Sequence, residues 1–145
     1  MLAAASELLD RGDVVTVSVQ DIAQAAGVSK AAVFRHFGDR SGLIRHILEP
    51  RATTLREAVT GGPPPLGPGA APADALAAYL DALFDFVCRN RVLIRAFEYL
   101  GPDAYYSNDA SRFWIAELRR RLSVVNPRRD TDYLAYAVFT ACPLR

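Results

Sequence analysis

The sequence predicts an all-α protein in two parts, and three observations carry that expectation. Apolar residues recur at i, i+3, i+4 and i+7 through most of the 145 residues, the period of helices that bury one face. No stretch alternates with the period of two that a half-buried strand needs, and the short run Val14 to Val17 fits a buried loop better. Pro and Gly crowd into one place, TGGPPPLGPGAAP at residues 60–72, where neither period holds and a linker is expected.

Taken in order, Met1 to Asp10 reads as a helix with Leu2, Ala5, Leu8 and Leu9 on one side, ended by Arg11-Gly12. Val17 to Arg40 then reads as two short helices joined by a tight turn. Ser18 is placed to cap the first, with Asp21 three residues on, near the positive helix end where a carboxylate is favoured. Val19, Ile22, Ala23 and Ala26 form its apolar stripe, while Gln20, Asp21 and Gln24 face away. Gly27 stops it, because a left-handed backbone costs glycine little. Val28 plugs the corner, Ser29 caps the next helix, and Val33 and Phe37 pack on the first. Lys30, Ala31, Ala32, Phe34, Arg35 and His36 are left for the outside, with small residues at the leading end where a base edge could approach closely.

A further helix starts at Ser41, with Leu43, Ile44, Ile47 and Leu48 facing inward. Pro50 removes a backbone donor, so a kink or break is expected before Arg51 to Val59 continues. Beyond the linker, Leu76, Tyr79, Leu80, Leu83, Phe84 and Val87 mark a helix, and Arg91 to Leu100 a shorter one ended by Gly101-Pro102. Ser111 to Val125 follows, with Ile115, Leu118, Leu122 and Val125 on one side and the triplet Arg119, Arg120 and Arg121 expected as a solvated, dipole-complementing face. Asn126-Pro127 stops it. Thr131 to Ala141 is the last predicted helix, with Tyr133, Leu134, Ala137, Val138 and Ala141 apolar.

Composition bounds the function. Half of the residues are hydrophobic, yet no apolar run approaches the ~20 residues of a membrane span, and no basic segment followed by an apolar one opens the chain, so nothing directs export. The net charge is only +1, but Lys30, Arg35, Arg40 and Arg45 against Asp39 give residues 30–46 a local +3, the footprint that a phosphate backbone senses. Cys88 and Cys142 are too few for a disulfide framework and fit a reducing cytoplasm; Cys88, beside Val87, reads as a small core residue, with a redox sensor as the alternative. The two histidines lack metal-site spacing, and there is no phosphate loop, nucleophile elbow or carboxylate pair. No enzymatic activity, cofactor or metal is therefore expected.

GVSKAAVFRHFGDR, preceded by DIAQAAG and followed by SGLIRHIL, resembles the DNA-binding domain of the TetR family of bacterial transcriptional regulators. The resemblance covers about the first third of the chain. It implies an N-terminal three-helix, helix-turn-helix domain at residues 1–49 and a helical-bundle domain for ligand binding and dimerisation at residues 50–145. It also implies that the second helix of the pair lies in the major groove. By position, Ser29 and Lys30 would contact backbone or base edges, Ala31 and Ala32 would face bases, His36 would bond a phosphate, and Arg40, where a lysine is usual, would add another phosphate contact. Phe34 stands in place of a common tyrosine and Gln20 in place of a frequent arginine, while the loop from Gly12 to Ser18 is one residue longer than usual. With Ser18 and Arg35, these complete the expected DNA-facing set.

The second half is rich in rings, and two readings of them compete. They are ordinary bundle core, or several of them line a cavity for an apolar or aromatic small molecule, an arrangement common between helices and implied by the resemblance. Phe84, Phe97, Tyr105, Phe113 and Trp114 are the candidates. The expectation is a cytoplasmic, ligand-responsive repressor that releases a palindromic operator; the alternative is a helical interaction protein that keeps the helix-turn-helix as scaffold. A homodimer is expected through the apolar face of the last helix, with Ser111 to Val125 beside it. Only one helix fits after Asn126-Pro127, where the family generally pairs two, so a weaker dimer is expected.

Overall fold

In a computed structural model the chain folds as expected into an all-α protein. The structure describes residues 18–98 and 109–141, together with Ala3 and Glu7, which are helical and exposed. The rest of the expected first helix and the Gly101-Pro102 turn lie outside the described residues. Among those described there are six helices: α1 Val19–Ala25, α2 Lys30–Phe37, α3 Arg40–Gly61, α4 Pro72–Glu98, α5 Asp109–Val125 and α6 Thr131–Ala141. No helix among the described residues is long and apolar enough to cross a membrane.

Two expectations about helix boundaries are corrected. Pro50 lies inside α3, which continues through it to 22 residues without a break. A proline deletes one backbone bond and crowds the preceding turn, and here the apolar positions on either side of it, Ile47 and Ala52, are both buried. The two helices expected between residues 76 and 100 are one, α4, of 27 residues. It begins at Pro72, where a fixed φ suits the first helical position, and no further Gly or Pro interrupts it.

The described residues divide into two compact units. Residues up to Arg51 with 90–98 form one, and 52–89 with 109–141 the other. In the first, Ile22, Ala23, Val33, Phe37, Leu43, Ile44, Ile47 and Leu93 make one buried cluster, with Val19, Val28, Leu48 and Val92 packed against it. Residues 90–98 of α4 thus complete a core that the N-terminal helices begin. Asn90 is buried there, and its Oδ1 accepts a 2.6 Å hydrogen bond from Nη1 of Arg51.

In the second unit Tyr79, Leu83, Val87, Trp114, Ile115, Leu118, Ala135 and Phe139 are buried. The phenol of Tyr79 donates to the carbonyl of Trp114 at 2.8 Å. That phenol's proton is held well above its ordinary range, by burial and then by the charge of Glu117, against the opposing effect of Arg121. Of the Arg triplet, Arg119 and Arg120 are exposed as expected and Arg121 is not. Arg119 pairs with Asp132 of α6 at 2.6 Å and Arg120 with Glu117 at 2.7 Å, while Arg121 is only 5 % exposed.

Three strong hydrogen bonds make the burial of Arg121 tolerable. Its Nε donates to Glu117 at 2.7 Å, Nη1 to the carbonyl of Ala75 at 2.6 Å and Nη2 to the carbonyl of Leu66 at 2.7 Å, and its cation lies 4.9 Å over the ring of Tyr79. One guanidinium so fastens the Pro/Gly-rich stretch and the first turn of α4 to α5. Gly67, next to the fastened carbonyl, is buried, and a Cβ there would collide with the carbonyl of Gly62. The stretch read as a spacer is therefore a held segment.

One further reading changes. Cys88 is exposed rather than a core residue. On α6 the buried residues are Ala135 and Phe139, whereas Tyr133, at 71 % exposure, Tyr136 and Val138 turn outward.

Candidate nucleic-acid interface

The expected DNA-reading pair forms through local chemistry. Ser18 caps α1: its Oγ accepts from the amide of Asp21 at 3.2 Å, while the Asp21 carboxylate accepts from the amide of Ser18 at 2.7 Å, a reciprocal capping box. Hydrogen bonds from the Ser18 side chain and backbone hold the Asp21 carboxyl below its usual range. Gly27, at φ 66°, turns the chain where a side chain would be strained. Val28 packs against the core, and Ser29 Oγ accepts from the amide of Ala32 at 3.1 Å, which starts α2.

Along α2, Val33 and Phe37 are buried, and the remaining residues turn outward. Lys30, Ala31, Phe34, Arg35 and His36 are exposed and Ala32 is half-buried. Beyond Gly38, at φ 77°, Asp39 caps α3: its Oδ1 accepts from the amide of Gly42 at 2.7 Å. Arg40 is thereby the first residue of α3, as expected of a group at a helix start, although its side chain lies outside the described residues. Ser18 and Gln20 are exposed on α1's leading edge.

The electrostatics of this surface follow from what its acids do. Asp21 and Asp39 are engaged with helix N-termini, where carboxylates are favoured. Among the described residues no carboxylate pairs with Lys30, Arg35 or Arg45. A surface of cations without counter-charges is what attracts phosphate. The two histidines meet around Phe37: its ring lies edge-on to His36 at 4.6 Å and to His46 at 5.3 Å. Nδ1 of His46 lies 2.8 Å from the carbonyl of Gly42. Sequence reasoning missed one contact, the ammonium of Lys30 at 5.9 Å from the centre of the Phe34 ring; the spacing i, i+4 was the available signal.

The candidate ligand-contacting rings are only partly brought together. Phe113 and Trp114 meet edge-to-face at 4.9 Å, and Phe86, which was not a candidate, lies 6.0 Å from Trp114. The guanidinium of Arg56 stacks 5.0 Å over Phe113, and its Nε is buried without a hydrogen-bond partner among the described residues. Phe84 is 49 % exposed, while the side chains of Phe97 and Tyr105 lie outside the described residues. A groove of about 470 Å³ in the same unit is lined instead by Val59, Gly67, Ala75, Glu117, Arg120 and Val124, among others. Among the described residues no group of His, Cys, Asp or Glu is placed to hold a metal ion.

Residues 1–47 match the family model of the bacterial regulatory proteins, tetR family. No curated protein matches the chain. Among solved structures, the fold is similar to that of NalD, the secondary repressor of the MexAB-OprM multidrug efflux pump in Pseudomonas aeruginosa. The TM-score is 0.60 at 21 % identity over 97 % of this chain and 77 % of that one.

Proposed function

Because its first 47 residues carry the helix-turn-helix of the tetR family of bacterial regulatory proteins, we propose that this chain is a transcriptional regulator that binds an operator as a homodimer and releases it on binding a small apolar or aromatic effector. The observation that carries the DNA reading is α2 itself. Val33 and Phe37 are committed to the core, while Lys30, Arg35 and His36 stand outward with no acid beside them on that helix. In a dimer, two such helices would enter successive major grooves roughly 34 Å apart.

Dimerisation is supported by the outward face of α6, where Tyr133, Tyr136 and Val138 expose apolar surface that a second copy would cover. The effector half of the reading rests on the aromatic group around Trp114, with the cation of Arg56 as its polar edge. An effector that favours one arrangement of α3 around Pro50 would change the spacing of the two recognition helices, and with it operator affinity. Such a protein works in the cytoplasm, where its DNA is.

The test is retardation of mixed-sequence DNA at low salt, followed by selection of bound fragments from random DNA. Binding that weakens steeply with salt, and selected fragments that share an inverted repeat, are the expected results. Absence of any retardation would favour a scaffold that interacts with other proteins. For the effector, apolar ligands should raise the melting temperature by mass action, and Trp114→Ala should abolish that shift beyond its own loss of about 3–5 kcal/mol.

A further inference from the structure

The outward surface of α2 has an unusual chemical restriction. From Lys30 to Phe37 the helix contains no Asn, Gln, Asp or Glu. It thus carries neither the side-chain amide that pairs bidentately with adenine nor the carboxylate that accepts from the amino group of cytosine. The Ser29 hydroxyl is already accepting the amide of Ala32. What α2 offers is cationic donors, on Lys30 and Arg35, the imidazole of His36, which the resemblance assigns to a phosphate, and carbon, on Ala31, Ala32 and Phe34.

In the major groove, carbon has one specific counterpart, the C5-methyl group of thymine. Ala31 and Phe34 are three residues apart and so share a face of the helix. Phe34 is 42 % exposed and, among the described residues, is the large apolar side chain that the first unit leaves out of its core. The Lys30 ammonium, 5.9 Å from the centre of its ring, sets a positive charge beside that carbon surface, which suits a groove flanked by phosphates and not an apolar protein partner.

Resting on the DNA-binding reading above, we propose that Phe34, with Ala31 beside it, reads thymine methyl groups in the operator half-site and is the main determinant of specificity at those positions. The cations of α2 then supply affinity and contacts to base acceptors, while the preference for thymine over cytosine comes from the ring.

The experiment uses the full chain and the operator obtained by selection. Each thymine of a half-site is replaced in turn by deoxyuridine, which removes the methyl group and leaves every hydrogen-bonding atom in place. At one or two positions affinity should fall about fourfold, the equivalent of one methyl group returned to water. In Phe34→Ala that difference between thymine and uracil should shrink towards none, while the melting temperature stays close to that of the parent, since the ring is outside the core. Equal affinity of the parent for both operators overturns the proposal, as does a thymine-to-uracil loss undiminished in Phe34→Ala. So does an equal loss by Phe34→Ala on every sequence, which would place the ring against the sugar-phosphate backbone. Failure to bind any DNA at low salt is a separate result: it removes the DNA-binding reading and this proposal with it.

Discussion

The two units put the same residue type to opposite uses. In the first, the acids near the proposed DNA-facing surface are engaged with helix ends, Asp21 with α1 and Asp39 with α3, and among the described residues Lys30 and Arg35 stand exposed without a counter-charge. In the second, several cations are paired with acids: Arg89 with Asp85, Arg119 with Asp132, and Arg120 and Arg121 with a shared Glu117. A net charge of +1 averages over these two arrangements and hides both. What makes one surface attractive to phosphate is therefore where the acids are engaged, not how many cations the chain has.

The sharpest way to break that contrast is to mutate an arginine in each unit. Arg121→Met would leave two backbone carbonyls without their donor and Glu117 with Arg120 alone, and breaking a buried pair of this kind costs about 3–5 kcal/mol; denaturant unfolding should register it. Next in size, Val138→Asp should dissociate the proposed dimer and weaken operator binding on the order of a hundredfold, through lost effective concentration, with sedimentation reading the first and gel retardation the second. A monomer that still binds a palindrome tightly would refute the dimer.

Arg35→Ala is the counterpart of Arg121→Met, and its effect should appear in binding alone. It should lower affinity for mixed-sequence DNA about tenfold, the worth of one charge-assisted bond, and reduce the salt slope by about one, while stability changes by less than about 0.5 kcal/mol. Arg40→Ala should behave alike.

Acid titration probes the second unit. Burial pushes the Glu117 carboxyl up, but hydrogen bonds from Arg120 and Arg121 and their charges outweigh it and hold the group below its ordinary 4.5. The folded value is the lower one, so this stabilisation is fully present above pH 4.5 and is lost as pH falls through the folded value. The melting temperature should drop over that window, and Glu117→Gln should flatten the drop. Smallest of all, Ser18→Ala should cost about 1 kcal/mol through the lost cap; a loss several times larger would mean that the loop before α1 depends on Ser18 as well.

The helix-turn-helix was legible because its determinants lie within a few residues of one another. Ser18 with Asp21, Gly27, Ser29, and Val33 with Phe37 each act over four positions or fewer, and each falls in the structure where its chemistry puts it. Arg121 was not legible, because its partners Ala75 and Leu66 lie 46 and 55 residues away, and three consecutive arginines give no local sign of which one turns inward. The unbroken α4 was misread at Arg89-Asn90-Arg91, a polar interlude between apolar runs. The usable signal was the absence of Gly or Pro there, and the polarity has its own cause in the bond from Arg51 to the buried Asn90. Phe84 and Cys88 show the converse failure, since a broad apolar period does not say which flank of a helix its neighbours leave uncovered.

The fastening of Leu66 by Arg121 makes the Pro/Gly-rich stretch a natural reporter. Proteases of broad specificity cut backbone that can be drawn out of its packing, and when opening and reclosing are fast the cutting rate follows the population of the open form. A nick between residues 62 and 71 would thus count the molecules in which a guanidinium has let go of its carbonyls, and a compound that slows the nick would reveal itself as gripping the second unit without any need to follow DNA.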